Sequence, residues 1–292
     1  MAASDSHTRS NSLPSKPHPL ILQCNEHLSR FEASIAVTSS SSSSSFSHKL
    51  RDLQDLHETV EKLAQLSLTK EFLVQGSQEN WVEKLLDGSL RLLDACTAAK
   101  DSLLHTKECA REVQSIMRRK RGGEVEVTIE VRKYLTSRKV VKKAISKALG
   151  NLKGSSNKCK LSPSHKGHHQ NPELVSLFKD VEIVTLQILE SLMSFIFAST
   201  QSKASNWSLV SKLIQNRRIS CPQEGDENEF AKVDSALQAF VFHTTSKSEN
   251  TEDLQNQLKN LELVIQDFVE VLETLFRRFI KTRVALLNIV NH

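Results

Sequence analysis

Apolar residues recur at spacings of three and four along most of the chain, which is the pattern of amphipathic α-helices. The most regular stretch places eleven such positions four and three residues apart, and all but the threonine are large and apolar: Leu254, Leu258, Leu261, Ile265, Phe268, Leu272, Leu275, Phe279, Thr282, Leu286 and Ile289. At 1.5 Å per residue this pattern predicts a helix roughly 55–60 Å long. We expect Arg277, Arg278, Lys281 and Arg283, which lie between these positions, to face water.

A second long helix is predicted over about 79–121. Two series of heptad-spaced positions, mostly apolar or small, form a seam for another helix: Leu85, Leu92, Ala99, Thr106 and Val113 with Ser89, Cys96, Leu103, Ala110 and Met117. Small residues such as Ala99 and Ala110 allow the neighbouring helix to approach closely. Gly122 and Gly123 are expected to end this helix.

Shorter helical patterns cover about 47–75, 126–152, 171–201, 207–217 and the segment around 230–240. The helix at 126–152 has an apolar side, formed by Val131, Tyr134, Val141, Ile145, Ala148 and Leu152. Together the patterns predict an all-α fold, an elongated antiparallel bundle built on the two long helices. A dimeric coiled coil is the alternative. The bundle is favoured because the chain supplies enough other amphipathic helices to cover both seams.

The N-terminal region differs from the rest because it is rich in serine and ends in an uninterrupted run from Ser39 to Ser45. Such a segment cannot bury enough apolar area to offset chain entropy, so residues 1–45 are predicted to be a disordered tail. Residues 46–292 are predicted to be the helical domain, with a flexible basic linker at about 154–170. One apolar group within the tail is expected to form a short helix that docks on the domain: Leu20, Ile21, Leu22, Leu28 and Phe31.

Composition supports this picture and bounds the environment. The 292 residues include only 8 Gly, 6 Pro and 1 Tyr, so helix breakers and strand-favouring aromatics are scarce. The five cysteines are odd in number and contain no CxxC pair, which indicates reduced thiols rather than a disulfide framework or a zinc site.

Positive charge is concentrated in one part of the chain. Between Arg111 and Lys166 there are sixteen Lys or Arg against four Glu, so this segment carries +12 and the remainder −7 of the net +5. We define the basic patch as nine residues within it: Arg118, Arg119, Lys120, Arg121, Arg132, Lys139, Lys142, Lys143 and Lys147. It predicts a surface for an acidic protein or an anionic membrane; the alternative is a solvated helix end and face. Nucleic acid is disfavoured because only Tyr134 is available there for base stacking.

A short motif in the tail indicates a phosphorylation-dependent partner. Arg9 precedes Ser12 by three residues and Pro14 follows it by two. This spacing suits a basophilic kinase and then a 14-3-3 protein, whose Arg cluster would pair with the phosphate on Ser12. Chance occurrence in a Ser-rich segment is the alternative.

The chain has no continuous apolar secretory signal, and a cytoplasmic location is predicted, with membrane-peripheral and nuclear placement as alternatives and a plastid transit peptide less favoured. The best candidate for a membrane span runs from Ile183 to Thr200. It contains Glu190, whose burial at a bilayer centre costs roughly 2.5–3.5 kcal/mol, so a bundle helix is the better interpretation.

No catalytic motif is present: the chain lacks a P-loop, GxGxxG, GxSxG and HExxH. The pairs Asp87 with Asp94 and Glu182 with Glu190 have no partner base in view. A cluster of Cys159, His165, His168 and His169 matches no standard metal site. We therefore expect a non-enzyme without metal or cofactor.

Several blocks resemble one plant family. They are RSNSLPSKPHP at 9–19, LLDGSLRLLDAC at 85–96, MRRKR at 117–121, YLTSRKVVKKAISKAL at 134–149, SLVSKL at 208–213 and LETLFRRFIKTRVALLNIVNH at 272–292. The chain resembles the BYPASS-related family over nearly its whole length. The resemblance implies a plant protein linked to root and shoot development, with no established catalytic activity and no catalytic residues to carry over. We expect a non-enzymatic helical scaffold or regulator that acts through protein partners; the alternative is a peripheral membrane module bound to anionic lipid through the basic region at 111–166.

Overall fold

The computed structural model of the chain describes residues 17–37, 42–67, 69–71, 81–119, 124–158, 172–197, 228–242 and 249–290. Every long regular element in these ranges is a helix: α1 (Pro19–Val37), α2 (Ser43–Ala64), α3 (Trp81–Arg118), α4 (Glu124–Lys158), α5 (Pro172–Phe197), α6 (Glu229–Phe242) and α7 (Glu249–Val290). The all-α prediction is confirmed. The helix predicted at 207–217 lies outside the described residues.

Antiparallel pairing dominates the bundle. Lys100 contacts Glu273 and Arg111 contacts Glu262, so α3 and α7 run in opposite directions. Arg51 pairs with Asp267 and Arg278 with Glu61, and the constant offset makes α2 parallel to α7. The α3–α4 hairpin is fixed by a side-chain contact of His105 with Ser137. α5 runs antiparallel to α2, since Phe46 meets Phe195 and His57 meets Thr185.

The heptad seams are covered within the chain. All eleven seam positions of α7 are buried, and so are those of α3 except Leu85, which is partly buried. At the centre Cys96 Sγ lies 3.5 Å from the carbonyl oxygen of Leu272, to which it donates. This confirms the bundle as the arrangement that covers both seams.

Helical structure begins before the predicted boundary at residue 46, with α1 starting at Pro19 and α2 at Ser43. Within the supposed tail, α1 buries Ile21, Cys24, Leu28 and Phe31 against the bundle, which confirms the expected short docking helix. The end of the serine run starts α2 instead of belonging to a tail, because Ser42 accepts a hydrogen bond from the Ser45 amide at 3.3 Å. Serine is favoured at this capping position, since its oxygen satisfies an amide that has no intrahelical partner.

Two further expectations need correction. α4 continues to Lys158 and so takes in the first five residues of the predicted linker; the remainder, 159–170, lies outside the described residues. In α7, Arg278 pairs with Glu58 and Glu61 at 2.6 and 3.2 Å, and Arg283 donates to Ser89 Oγ at 2.6 Å. These two arginines are largely withdrawn from water, whereas Arg277 and Lys281 are exposed as predicted.

The apolar stretch beginning at Ile183 belongs to α5, which packs between α2, α3 and α4. None of the helices in the described ranges combines the length and the apolar character that crossing a bilayer requires. A bundle helix is therefore the correct interpretation of this stretch.

Candidate functional site

Four cations of the basic patch lie together on one side of α4. Arg132, Lys139, Lys143 and Lys147 follow one another at spacings of seven, four and four, which keeps them on the side opposite the buried apolar residues. All four are exposed, and none forms an ion pair with a described carboxylate. We call these four residues the outer basic surface.

Apolar side chains accompany the outer basic surface. Val125, Ile129 and Val140 are 73, 50 and 60% exposed. Among the exposed side chains that the structure describes on α4, over residues 125–152, only Glu126 is acidic. The outer side of α4 therefore combines positive charge with uncovered apolar area.

Lys142 does not belong to this surface, although the sequence placed it in the basic patch. Its side chain is 20% exposed, and its Nζ lies 2.8 Å from Asp234 Oδ2. Lys142 and Lys143 are adjacent in the sequence and therefore lie about 100° apart around the helix, so Lys142 points toward α6 while Lys143 is on the outer side. Part of the positive charge of the segment is thus used within the fold.

Lys142 shares its partner with a deeply buried arginine. Arg138 Nε donates to Asp234 Oδ1 at 3.0 Å, and both side chains are at most 3% exposed. Tyr134 also donates to Asp234, at 3.4 Å. Burial, and then the negative charge of Asp234, raise the pKa of the Tyr134 phenol, so this group stays protonated as a donor. We call Tyr134, Arg138, Lys142 and Asp234 the buried ion cluster.

The buried ion cluster also closes the end of α5. The last carbonyls of a helix lack intrahelical donors. Arg138 Nη2 donates to the Ile196 carbonyl at 2.8 Å, and the side-chain amide of Asn228 donates to that of Phe195. Asn228 also caps α6, because its Oδ1 accepts from the Phe230 amide at 2.8 Å. The cluster holds α4, α5 and α6 together, and its burial gives it a structural role.

Arg118 and Arg119 lie elsewhere in the molecule. They line an open groove of about 430 Å³ between α3 and α7, together with Arg111, Gln114, Ser115 and Glu262. Arg118 Nη2 donates to Gln114 Oε1 at 2.8 Å, and Arg111 Nε donates to Glu262 at 2.6 Å. No residue of α4 lines this groove, so the described part of the basic patch is divided between two places. Lys120 and Arg121 lie outside the described residues, as do Arg9, Ser12 and Pro14 of the tail motif.

A small cavity, lined mainly by apolar side chains, lies between α2, α3, α5 and α7. Its volume of about 40 Å³ suits one water molecule, whose share of liquid volume is about 30 Å³. His57 lines it and lies 2.8 Å from Thr185 Oγ1. Burial, with the charge of Arg278, lowers the pKa of His57 to about 3, so the ring is neutral. Glu182, for which the sequence showed no partner, pairs here with Arg91, with Nε to Oε1 at 2.9 Å.

Within the described residues, no three His, Cys, Asp or Glu side chains are grouped to hold a metal ion. The cluster of Cys159, His165, His168 and His169 lies outside those residues. Cys24 and Cys96 are free and buried, and burial raises the pKa of each thiol to about 12. These two cysteines serve as small core side chains.

The sequence interpretation missed Arg138 and Asp234. A signal was present for the first: Arg138 follows Tyr134 by four residues and precedes Val141 by three, so it falls on the apolar side of its helix. Asp234 likewise sits between Phe230 and Leu237 on the buried side of α6. A charge on each apolar side was the available clue that the two would pair.

A sequence model of the family described as Protein BPS1 matches residues 49–289 of the chain. The matched range contains the outer basic surface, the buried ion cluster and both cavities. Comparison with curated proteins and with solved structures gave no significant match.

Proposed function

We propose a function from one premise: the chain belongs to the Protein BPS1 family, the BYPASS-related family of plants. Membership makes it a plant developmental regulator whose mechanism the family does not supply. The mechanism proposed below comes from the exposed side of α4.

The protein acts as a non-enzymatic helical scaffold that docks an acidic protein partner on the outer basic surface. One observation carries this proposal: Arg132, Lys139, Lys143 and Lys147 are exposed and form no ion pair with a carboxylate of the described residues, while Arg138 and Lys142 on the same helix are paired internally. Exposed charges of one sign attract and orient an oppositely charged partner. A rigid bundle suits this task because α4 is anchored by the buried ion cluster and does not need to fold on binding.

The tail motif supplies a second contact in the same proposal. Phosphorylation of Ser12 would add nearly two negative charges beside Arg9, and a 14-3-3 protein in the cytoplasm would bind it. A synthetic peptide over 6–17, with and without phosphate on Ser12, tests this by calorimetry with a plant 14-3-3 protein. Equal affinity of the two peptides would exclude the contact.

The scaffold is tested by restoring development in a plant that lacks the protein. The outer variant replaces Arg132, Lys139, Lys143 and Lys147 by Gln. The control variant replaces Lys70, Lys84, Lys232 and Lys259 by Gln, which removes the same charge from exposed positions on other elements. We expect wild type and the control to restore root and shoot growth, and the outer variant to fail at equal protein level. Full restoration by the outer variant would refute the proposal.

An anionic membrane is the second candidate partner, favoured by the exposed Val125, Ile129 and Val140 beside the cations. Each cation near an anionic bilayer contributes about 1 kcal/mol, and the apolar side chains would enter the headgroup region. Vesicles of phosphatidylcholine, with and without phosphatidylserine or a phosphoinositide, test it by sedimentation. Binding that needs anionic lipid and is lost in the outer variant would favour the membrane; indifference to lipid charge would eliminate it.

A further inference from the structure

The α3–α4 hairpin presents opposite charges on its two helices. On α3, Asp94, Asp101 and Glu108 are exposed and follow one another at intervals of seven residues, so they share one side of the helix. On α4, Lys133, Lys143 and Lys147 are exposed. No ion pair within the described chain joins the acids of α3 to these lysines; Lys133 pairs with Glu130 of its own helix.

These charges lie at matching heights along the hairpin. The contact of His105 Nε2 with Ser137 Oγ at 2.6 Å sets two level positions, and α3 and α4 run in opposite directions from it. Asp101 precedes His105 by four residues and is therefore level with the residue that follows Ser137 by four. Lys143 lies two residues beyond that level, a displacement of roughly 3 Å along the helix. The same count places Asp94 level with Lys147 and Glu108 level with Lys133, each within one residue.

Exposed apolar side chains lie between the charges. Leu90 on α3 is 43% exposed, and Ile129 and Val140 on α4 are 50 and 60% exposed. Leu90 falls between Asp87 and Asp94 in the acidic series, and Val140 precedes Lys143 by three residues and Lys147 by seven. Each helix therefore shows exposed apolar side chains next to charges of one sign.

We propose that this surface binds a second copy of the same chain, through a two-fold axis that runs parallel to the helices of the hairpin. Such an axis keeps every residue at its own height and places α3 of one copy over α4 of the other. Asp94, Asp101 and Glu108 then meet Lys147, Lys143 and Lys133 of the second copy, and each pair occurs twice. An axis perpendicular to the helices would place like charges together, so the charges select one arrangement.

The size of the surface suits a dimer of moderate affinity. The described side chains of α4, residues 125–152, lie level with those of α3 over about 28 residues. This overlap is roughly 40 Å long, and two helices span about 20 Å of width. The product, roughly 800 Å² per copy, is the area of a standard specific interface. Exposed ion pairs contribute little individually and are screened by salt, so the dimer is concentration-dependent and weakens in salt.

This dimer is separable from the docking of an acidic partner. Arg132 and Lys139 lie on the α6 side of α4, since Lys139 precedes by three residues the Lys142 that contacts Asp234. The dimer shares Lys143 and Lys147 with the outer basic surface and adds Lys133, which lies nearer α3, but it does not use Arg132 or Lys139. Replacing Arg132 and Lys139 by Gln would weaken partner docking and leave the dimer, whereas changing the acids of α3 would do the reverse.

Charge exchange tests the arrangement in solution. One variant carries D94K, D101K and E108K; the other carries K133E, K143E and K147E. A matched control reverses Asp52, Asp55 and Glu252, exposed carboxylates on α2 and α7. Sedimentation velocity at about 100 µM protein, in about 50 mM and about 500 mM salt, reports the association state.

We expect wild type and control to dimerise in low salt, with at least tenfold weaker association in high salt. Each exchanged variant alone should be monomeric, and an equimolar mixture should form a heterodimer. A monomeric wild type, unchanged dimerisation of either variant, or a mixture that stays monomeric would each overturn the proposal.

A second measurement needs no substitution, so a folding defect in a variant does not affect it. Carbodiimide joins carboxylates to lysines that are in contact, and mixing ¹⁴N and ¹⁵N protein identifies links between two copies. We expect mixed-isotope links of Asp94 to Lys147 and of Asp101 to Lys143. Their absence from cross-linked dimer would overturn the proposed interface.

Discussion

On its inner side α4 holds Arg138 and Lys142 against one carboxylate, that of Asp234, whereas on its outer side Arg132, Lys139, Lys143 and Lys147 meet no described acid. The residues are of the same type and differ only in position around one helix. A buried cation must be paired because its desolvation costs several kcal/mol, while an exposed cation keeps its water. The net charge counted over a segment therefore overstates the charge that a partner can contact. Burial distinguishes the cations that are paired inside the fold from those that face solvent.

The largest expected effect comes from removing the shared carboxylate. Asp234→Ala leaves Arg138 charged, buried and without its main acceptor, so we expect the free energy of unfolding to fall by about 3–5 kcal/mol. Urea denaturation followed by circular dichroism measures this loss. A change below 1 kcal/mol would mean that the inner and outer cations do not differ as described.

A double substitution sharpens this test. In Arg138→Met combined with Asp234→Leu, both buried charges are gone, so the protein should be more stable than with Asp234→Ala alone. Lys142, already 20% exposed, can turn to solvent. If the double variant is less stable than the single one, the arginine contributes mainly by capping α5 at Ile196.

The buried, neutral His57 should give the next largest effect, a dependence of the free energy of unfolding on pH. The pKa of His57 is about 3 in the fold, below its ordinary value of about 6.5, so the unfolded chain binds the extra proton first as pH falls. Stability from this group is complete above about pH 6.5 and is lost as pH falls toward 3. Between pH 7 and pH 5, wild type should lose about 2 kcal/mol more than His57→Gln, measured by urea denaturation at both pH values. Parallel losses in the two proteins would contradict this assignment.

Substitution of two glycines, one packed against another helix and one open to solvent, compares a buried helix position with an exposed one. A Cβ at Gly88 of α3 would lie 2.7 Å from the carboxyl carbon of Glu182, whereas a Cβ at Gly150 of α4 meets nothing within 4 Å. Gly88→Ala should therefore cost about 1–2 kcal/mol by displacing the Arg91–Glu182 pair. Gly150→Ala should stabilise the protein by about 0.5–1 kcal/mol through helix propensity. Thermal melts of both variants measure this difference in sign, and two changes of the same sign would contradict it.

The smallest effect is expected on the outer side. Replacing Arg132, Lys139, Lys143 and Lys147 by Gln should change stability by less than about 0.5 kcal/mol per position, because no described contact is lost. The same urea series measures it. A cooperative loss comparable to that of Asp234→Ala would show that the outer basic surface is structural after all.

The sequence predicted those elements whose pattern is local. The eleven seam positions of α7, ten of them large and apolar, were predicted individually and all are buried, because strict spacing of large side chains leaves few alternatives. Of the five basic-patch cations on α4, Arg132, Lys139, Lys143 and Lys147 are exposed, whereas Lys142 is paired with Asp234. Arg278 was expected in water, and that prediction is wrong because its partners Glu58 and Glu61 lie more than two hundred residues earlier. Nothing local to α7 encodes the parallel packing of α2 that brings them there.

The buried ion cluster shows the same limit. Arg138 and Asp234 are 96 residues apart in the chain, and their pairing depends on how α6 docks. The end of the serine run was assigned to a disordered tail from its composition alone. Composition does not show that Ser42 is the N-terminal cap of α2. The proposed dimer surface could not be predicted at all, because the levels of α3 and α4 follow from the hairpin contact of His105 with Ser137.

The pairing of α3 with α7 has a consequence for how the protein is made. Cys96 and Leu272 are in contact although 176 residues separate them. At synthesis rates of 5–20 residues per second, Leu272 is added about 9–35 s after Cys96. During that interval the seam of α3 is not yet packed against α7. The order of helices along the chain thus leaves the side of α3 that packs on α7 exposed during synthesis, until α7 has left the ribosome.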